Sequence, residues 1–227
     1  MKILTSKNKL KEQIAKDCSQ FEGLSGWFRG HSLDIIKKDV YRIFDIKVDI
    51  DYVLDIGTCL GEVSYACSKL FPDAYIVAVE ATPETYIKAC RNLKKTSVIV
   101  NNWAIYEHDD VGLQISRKNK NNIGSNKSLE GNFNECLSCK IETLIKRHDI
   151  DLTKNCLLKI DCEGCEEFVF KNIELCKKFY QISCEIHPWV KNKEVIYNFL
   201  REITHTHSII KGKYDENKLS EMIFRRK

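Results

Sequence analysis

The residues best suited to chemistry stand at the ends of short apolar runs. Asp55-Ile56-Gly57-Thr58-Cys59-Leu60-Gly61 closes the first run, and Glu80 closes the second, 25 positions after Asp55. Gly57 permits a tight turn with backbone close to a ligand, and Gly61 lets a following helix pack against the strand. A carboxylate at the tip of the second strand can accept both hydroxyls of an adenosine ribose. A single Gly followed by Thr58, Cys59 and Leu60 is not the Gly-x-Gly-x-x-Gly that admits a pyrophosphate. The set therefore suits an adenosyl ligand without one. S-adenosylmethionine is the candidate, because nearby carboxylates balance its positive sulfonium and amino group. The glycine turn taken alone is also compatible with a plain βα connection.

A second constellation lies further on: Asp161, Glu163, Glu185 and His187 gather at the ends of two later apolar runs. Methyl transfer needs the acceptor aligned and, for a hydroxyl, its proton removed. His187 is the best single general base, since an ordinary imidazole titrates near about 6.5; the plainer alternative is a loop hydrogen bond before Pro188. Glu163 and Glu166 could instead cap the helix that follows. Two carboxylates and an imidazole could hold a divalent cation, but nothing in the spacing demands one, and no metal site is assigned. Cys136-x-x-Cys139 and Cys162-x-x-Cys165, with 22 residues between them, are close to a zinc-ribbon spacing. Against zinc, Cys136 and Cys139 fall on an expected strand, where residues three apart face opposite sides. Core packing is the preferred reading of these thiols, and a redox role for the second pair at a helix start is the remaining alternative.

These residues need a scaffold. Apolar positions Ile36, Val40, Ile43 and Phe44 predict an amphipathic helix over 33–44. Short apolar runs predict strands at 52–56, 75–80, 97–102, 157–161 and 180–186, with helices at 62–70, 83–94, from Glu166, and 194–203 between and after them. Thr82 is expected to cap the helix that begins at Pro83. Strands apolar on both faces and alternating with helices mean an α/β fold with a mostly parallel sheet covered on both sides. Residues 111–142 predict an inserted hairpin with a polar loop. Two final strands, around 207–210 and 221–225, predict an antiparallel edge.

Three blocks in this order, Val53-Leu54-Asp55-Ile56-Gly57, Val79-Glu80-Ala81-Thr82-Pro83 and Leu158-Lys159-Ile160-Asp161-Cys162-Glu163-Gly164-Cys165-Glu166, resemble the FkbM family of S-adenosylmethionine-dependent methyltransferases. The likeness runs over about residues 50–190 and includes Glu185-Ile186-His187-Pro188 and the Gly/Ser-containing stretch 122–129. In the resemblance, Cys162 and Cys165 occupy positions where small apolar residues are expected. It implies a seven-stranded Rossmann-like class I methyltransferase fold with strand order 3-2-1-4-5-7-6. It also implies that Asp55 and Gly57 line the methionine side of the cofactor, with Thr58 and Gly61 completing the turn, and that Glu80 holds the ribose. Asn102 would sit near the adenine, although an Asn at a strand end is as readily a turn former. Ala81 or Trp103 would be apolar contacts, and Asp161 would face the methyl-transfer site. The implied acceptor is a hydroxyl of a sugar or small metabolite.

Composition limits the alternatives. The chain has 227 residues and a net charge of +4, too little asymmetry for a dedicated nucleic-acid binder. An RNA methyltransferase would need a continuous basic face, and a non-catalytic adenosyl-binding or zinc-stabilised module would need no proton acceptor. The start of the sequence lacks the apolar core of a signal peptide, and no apolar run approaches the ~20 residues of a membrane span. With 11 Cys, an odd number, reduced thiols in a cytoplasmic protein are expected. Residues 1–48 read as an N-terminal helical cap and 49–227 as the methyltransferase domain. The oligomeric state stays open. The Lys/Asn-rich stretch 117–127 reads as a solvated loop, and Trp27, Phe28 and Trp189 are candidates to floor an acceptor.

Overall fold

The structure is a computed structural model that describes residues 2–24, 33–116, 127–130 and 135–227. Trp27, Phe28 and residues 117–126 of the Lys/Asn-rich stretch lie outside the described residues. In chain order the elements are α1 (Lys2–Cys18), β1 (Tyr52–Ile56), α2 (Glu62–Leu70), β2 (Tyr75–Val79), α3 (Pro83–Leu93), β3 (Ile99–Asn101), β4 (Trp103–Ile105), β5 (Gly112–Ser116), β6 (Lys127–Glu130), β7 (Cys136–Cys139), α4 (Ile141–Arg147), β8 (Cys156–Ile160), α5 (Glu166–Phe170), α6 (Ile173–Cys176), β9 (Gln181–Ile186), α7 (Lys193–Ile203), β10 (His207–Lys211) and β11 (Ser220–Arg226).

The main sheet has seven strands in the order β10-β11-β9-β8-β1-β2-β3. Strands β1, β2, β3, β8 and β9 run parallel, and β11 is antiparallel to both β9 and β10. This is the expected order with its antiparallel C-terminal edge. Period-two alternation sorts side chains to opposite faces. Leu54, Ile56, Leu158 and Ile160 join one core with Phe170 and Phe199 of the C-terminal helices. Val53, Ile76 and Leu157 join a second with Ile14, Cys18, Ile36 and Tyr41 of the N-terminal segment. By the same alternation Asp55 and Lys159, register partners on β1 and β8, point towards the N-terminal segment. Among the described residues no helix is long and apolar enough to cross a membrane.

Two expectations change. The helix foreseen over 33–44 is helical only at 33–37. Asp39 and Arg42 take left-handed backbone (φ 50° and 54°), and the Asp39 carboxylate accepts the N–H groups of Ile43 (2.9 Å) and Phe44 (3.4 Å). A short acidic side chain that captures downstream amides competes with the helix ladder, and here it wins. The foreseen hairpin at 111–142 is part of a second sheet, ordered β4-β7-β5-β6, in which β4 pairs parallel with β7 and the rest are antiparallel.

Candidate active site

The turn after β1 is made where two strand ends nearly touch. Gly57 adopts φ +75°, and a Cβ there would lie 1.8 Å from the Asp161 carbonyl oxygen. Its N–H and that of Thr58 both donate to Val79 O, which ties the turn to the end of β2. A Cβ on Gly61 (φ +98°) would crowd the Leu93 side chain of α3 at 2.8 Å, not the strand expected from the sequence.

Asp55 does not face the open side of this turn. It is fully buried, and its carboxylate accepts the hydroxyls of Thr58 (2.7 Å) and Ser64 (2.6 Å) and pairs with Lys159 Nζ at 3.2 Å. Asp55 and Thr58, expected to line the cofactor, buttress the turn from beneath in this structure. Lys159, unassigned from sequence, also donates to Gly57 O (2.6 Å) and lies 4.0 Å from Asp161 Oδ2. Burial alone would strip its charge, but Asp55 and Asp161 outweigh burial and raise it well above the ordinary lysine range.

Glu80 stands at the tip of β2 and bridges two loops. Oε2 accepts Cys59 N–H (3.0 Å) and Oε1 accepts Thr82 N–H (2.9 Å). Burial pushes it up to about 7 against the pull of those amides. Thr82 does not cap α3 with its side chain as expected. Asn102 Nδ2 donates to the carbonyls of Glu80 (2.9 Å) and Ala81 (3.0 Å), so it fixes the backbone beside Glu80. Ala81 packs against the small core of the second sheet. Trp103, on β4, lies under Arg147 (4.9 Å) and beside His148. The structure therefore brings Glu80, Ala81 and Asn102 together, while the Trp103 ring is engaged with Arg147.

The second constellation forms one network, held by residues that sequence reasoning missed. Tyr41 Oη donates towards Asp161 Oδ2 (2.9 Å) and Glu185 Oε1 (3.0 Å), one proton between two carboxylates. Its burial and those charges keep the phenol protonated. Burial, then the charge of Asp161, push Glu185 up to about 7. His187 Nδ1 meets Glu166 Oε1 of α5 at 2.5 Å, while Nε2 lies 3.7 Å from Glu163 Oε2 and 4.0 Å from Asp161 Oδ1. Burial opposes the imidazolium, yet the Glu166 hydrogen bond and the charges of Glu166, Glu163 and Asp161 raise His187 to about 9. The shift is upward from the 6.5 of an ordinary imidazole and favours the protonated form at neutral pH. Glu166, foreseen as a helix cap, is the fully buried partner of that imidazole.

The loop between β8 and α5 is closed by a Cys162–Cys165 disulfide. This corrects the reading of both as free, core-filling thiols; the other nine cysteines are free. Inside the ring Glu163 and Gly164 have φ +59° and +120°, and Trp189 Nε1 donates to Glu163 O, which places that indole against this loop. Cys136 and Cys139 are buried in different cores, so the two Cys-x-x-Cys pairs do not share a zinc site. Of the missed residues, Lys159 carried a signal, a lone cation inside Leu157-Leu158-Lys159-Ile160. Tyr41 carried none.

Comparison with known proteins follows the same lines. Residues 55–208 match the family described as Methyltransferase FkbM domain. No curated protein matches the chain in sequence. Among solved structures, the chain is similar to precorrin-6y C5,15-methyltransferase from Geobacter metallireducens GS-15, at 14% identity and TM-score 0.50, over 93% of this chain and 96% of that one. A methyltransferase FkbM from Methylobacillus flagellatus KT is 10% identical with TM-score 0.47, over 96% of this chain and 58% of that one. Aeropyrum pernix fibrillarin, with natively bound S-adenosyl-L-methionine, is 10% identical with TM-score 0.46, over 82% and 71% of the respective chains. At such identities the likeness concerns the fold alone. That fold is the Rossmann-like, seven-stranded class I methyltransferase fold.

Proposed function

The chain belongs to the methyltransferase FkbM family, and we propose that it binds S-adenosylmethionine at the tips of β1 and β2 and methylates a hydroxyl of a sugar or small metabolite. The observation that carries this reading is Glu80. Each oxygen of a carboxylate offers two lone-pair sites. Backbone N–H groups take one site on each oxygen and the Thr82 side chain also bonds the carboxylate, which leaves acceptor capacity for a ribose hydroxyl. Asn102 holds the adjoining backbone in place, and Gly57 leaves the turn free of side-chain bulk.

When bound, the cofactor supplies a methyl carbon activated by its sulfonium. The protein must align the acceptor and take its proton. His187, raised towards its protonated form, serves best as a positive group among carboxylates while no cation is bound. Proton acceptance falls to the carboxylates of the cluster that reach solvent, Asp161 with 26% and Glu163 with 15% of the side chain exposed. The acceptor class is our reading from the family resemblance and rests on no residue of the site.

Calorimetric titration with S-adenosylhomocysteine tests the reading. Glu80→Ala should weaken binding about ten- to hundredfold, on the order of 1.5–3 kcal/mol for lost hydrogen bonds to a charged group. Native protein that binds nothing, or a folded variant with unchanged affinity, defeats it. The same titration should depend on pH. Glu80 is raised to about 7, so it is protonated below that value and ionised above it. If the ionised form takes the ribose, affinity should fall about tenfold from pH 8 to pH 6 and level off above pH 8. A flat profile would place the ribose elsewhere.

A further inference from the structure

Among the described residues, one group of His, Asp and Glu side chains converges closely enough to share an ion: Asp161, Glu185 and His187, with one ligand atom from each within 4.8 Å of the others. Divalent-metal bonds to carboxylate oxygen or imidazole nitrogen run about 2.0–2.2 Å, so ligand atoms on one ion sit roughly 3–4.4 Å apart. A small inward movement completes the set.

The arrangement is more than a gathering of acids. His187 is only 3% exposed, and its Nδ1 is committed to Glu166. That bond aims Nε2 at the carboxylates, yet the nearest acceptors, at 3.7 and 4.0 Å, lie beyond hydrogen-bond reach. A buried ring nitrogen facing an acidic recess, with a buried carboxylate behind the ring, is the arrangement by which proteins orient a metal-binding imidazole. Asp161, Glu163 and Glu185 outnumber the one imidazole among them, and the Lys159 ammonium stands 4.0 Å off Asp161. That ammonium spends its bonds on Asp55 and Gly57 O. Tyr41 holds Asp161 and Glu185 together through one neutral hydroxyl and brings no cation. Asp161, partly exposed, leaves an entrance.

We propose that Asp161, Glu185 and His187 bind one divalent cation, which displaces the Nε2 proton of His187, with Glu166 fixing the imidazole through Nδ1. One nitrogen and two carboxylates favour a first-row ion such as Mn2+. The binding stands on this geometry alone. Its use, to hold the acceptor oxygen and ease loss of its proton, rests on the methyltransferase reading.

Chelator-treated protein titrated with MnCl2 and followed by electron paramagnetic resonance tests the site. One ion should bind per chain. Glu166→Gln should weaken it about ten- to hundredfold, as loss of a supporting carboxylate typically does, and Asp161→Asn and His187→Gln at least as much. Thermal melts show which variants fold, and Glu185→Gln replaces any that does not. No Mn2+ bound up to about 1 mM, or folded ligand variants that bind like the parent, overturns the proposal. S-adenosylhomocysteine titrated into the same metal-free protein separates the two readings. Cofactor binding without Mn2+ binding removes the metal site alone, and Mn2+ binding without cofactor binding removes its proposed use.

Discussion

Replacing Lys159 with methionine should destabilise the protein by about 3–5 kcal/mol, the usual cost of leaving one member of a buried ion pair behind. Methionine keeps an unbranched apolar stem in the same strand, so the loss is mainly of charge. Asp55, fully buried, would retain the hydroxyls of Thr58 and Ser64 but no cation at 3.2 Å. Gly57 O would lose its 2.6 Å donor at the turn on which the cofactor site is built. For a chain of this size each kcal/mol moves Tm by about 2–4 °C, so a fall of roughly 6–20 °C is expected in a thermal melt. Adding Asp55→Asn should recover a good part of that loss, because the orphaned charge goes with it. A single variant within about 1 kcal/mol of native would show that the pair is not a structural support.

Gly57→Ala should be nearly as costly and more damaging to function. The methyl group would stand 1.8 Å from a backbone oxygen at the end of the neighbouring strand, on a residue with φ +75°. A backbone atom cannot turn aside as a side chain would, so the ends of β1 and β8 must separate. Left-handed strain and overpacking together cost about 2–5 kcal/mol. Because Asp161 N–H donates to Ile56 O at this junction, the glycine turn and the acidic cluster should shift together. Affinity for S-adenosylhomocysteine should drop about a hundredfold or more, equivalent to roughly 2.7 kcal/mol. Gly164→Ala is the natural control. Its backbone is also left-handed (φ +120°), but its nearest neighbour is the Trp189 ring at 3.6 Å. It should show backbone strain alone, about 1–3 kcal/mol. Equal effects at both positions would mean that the close approach of β1 and β8 is unimportant.

The main sheet was legible because its strands are apolar runs bounded by turn residues, and their order followed from the blocks at their ends. The site was legible as a set of positions more than as a set of roles. Asp55, Glu80, Asp161, Glu185 and His187 were all found from their places at strand ends. What each one does depends on partners far along the chain. Asp55 turns inward by strand alternation and meets Lys159 there, and His187 is raised because Glu166, 21 positions earlier, lies against its ring. Tyr41 reaches Asp161 across 120 positions, and no periodicity marks such a residue. Strand β4 escaped notice because three residues are too few to show alternation. The helix over 33–44 failed because its apolar spacing was right while Asp39 offered the backbone a competing acceptor.

The position of β1 in the middle of the sheet sets an order of events during synthesis. Its neighbour β2 follows directly, but its other neighbour, β8, begins only at Cys156, and the Lys159–Gly57 bond spans 102 positions. At about 5–20 residues per second, a ribosome needs roughly 5–20 s to cross that interval. Throughout it, the edge of β1 is open to pairing with any passing strand. Asp55 lies on that strand, its polar carboxylate still in water. The group that burdens the finished core therefore keeps the half-made sheet wet, and Lys159 arrives with the strand that closes it.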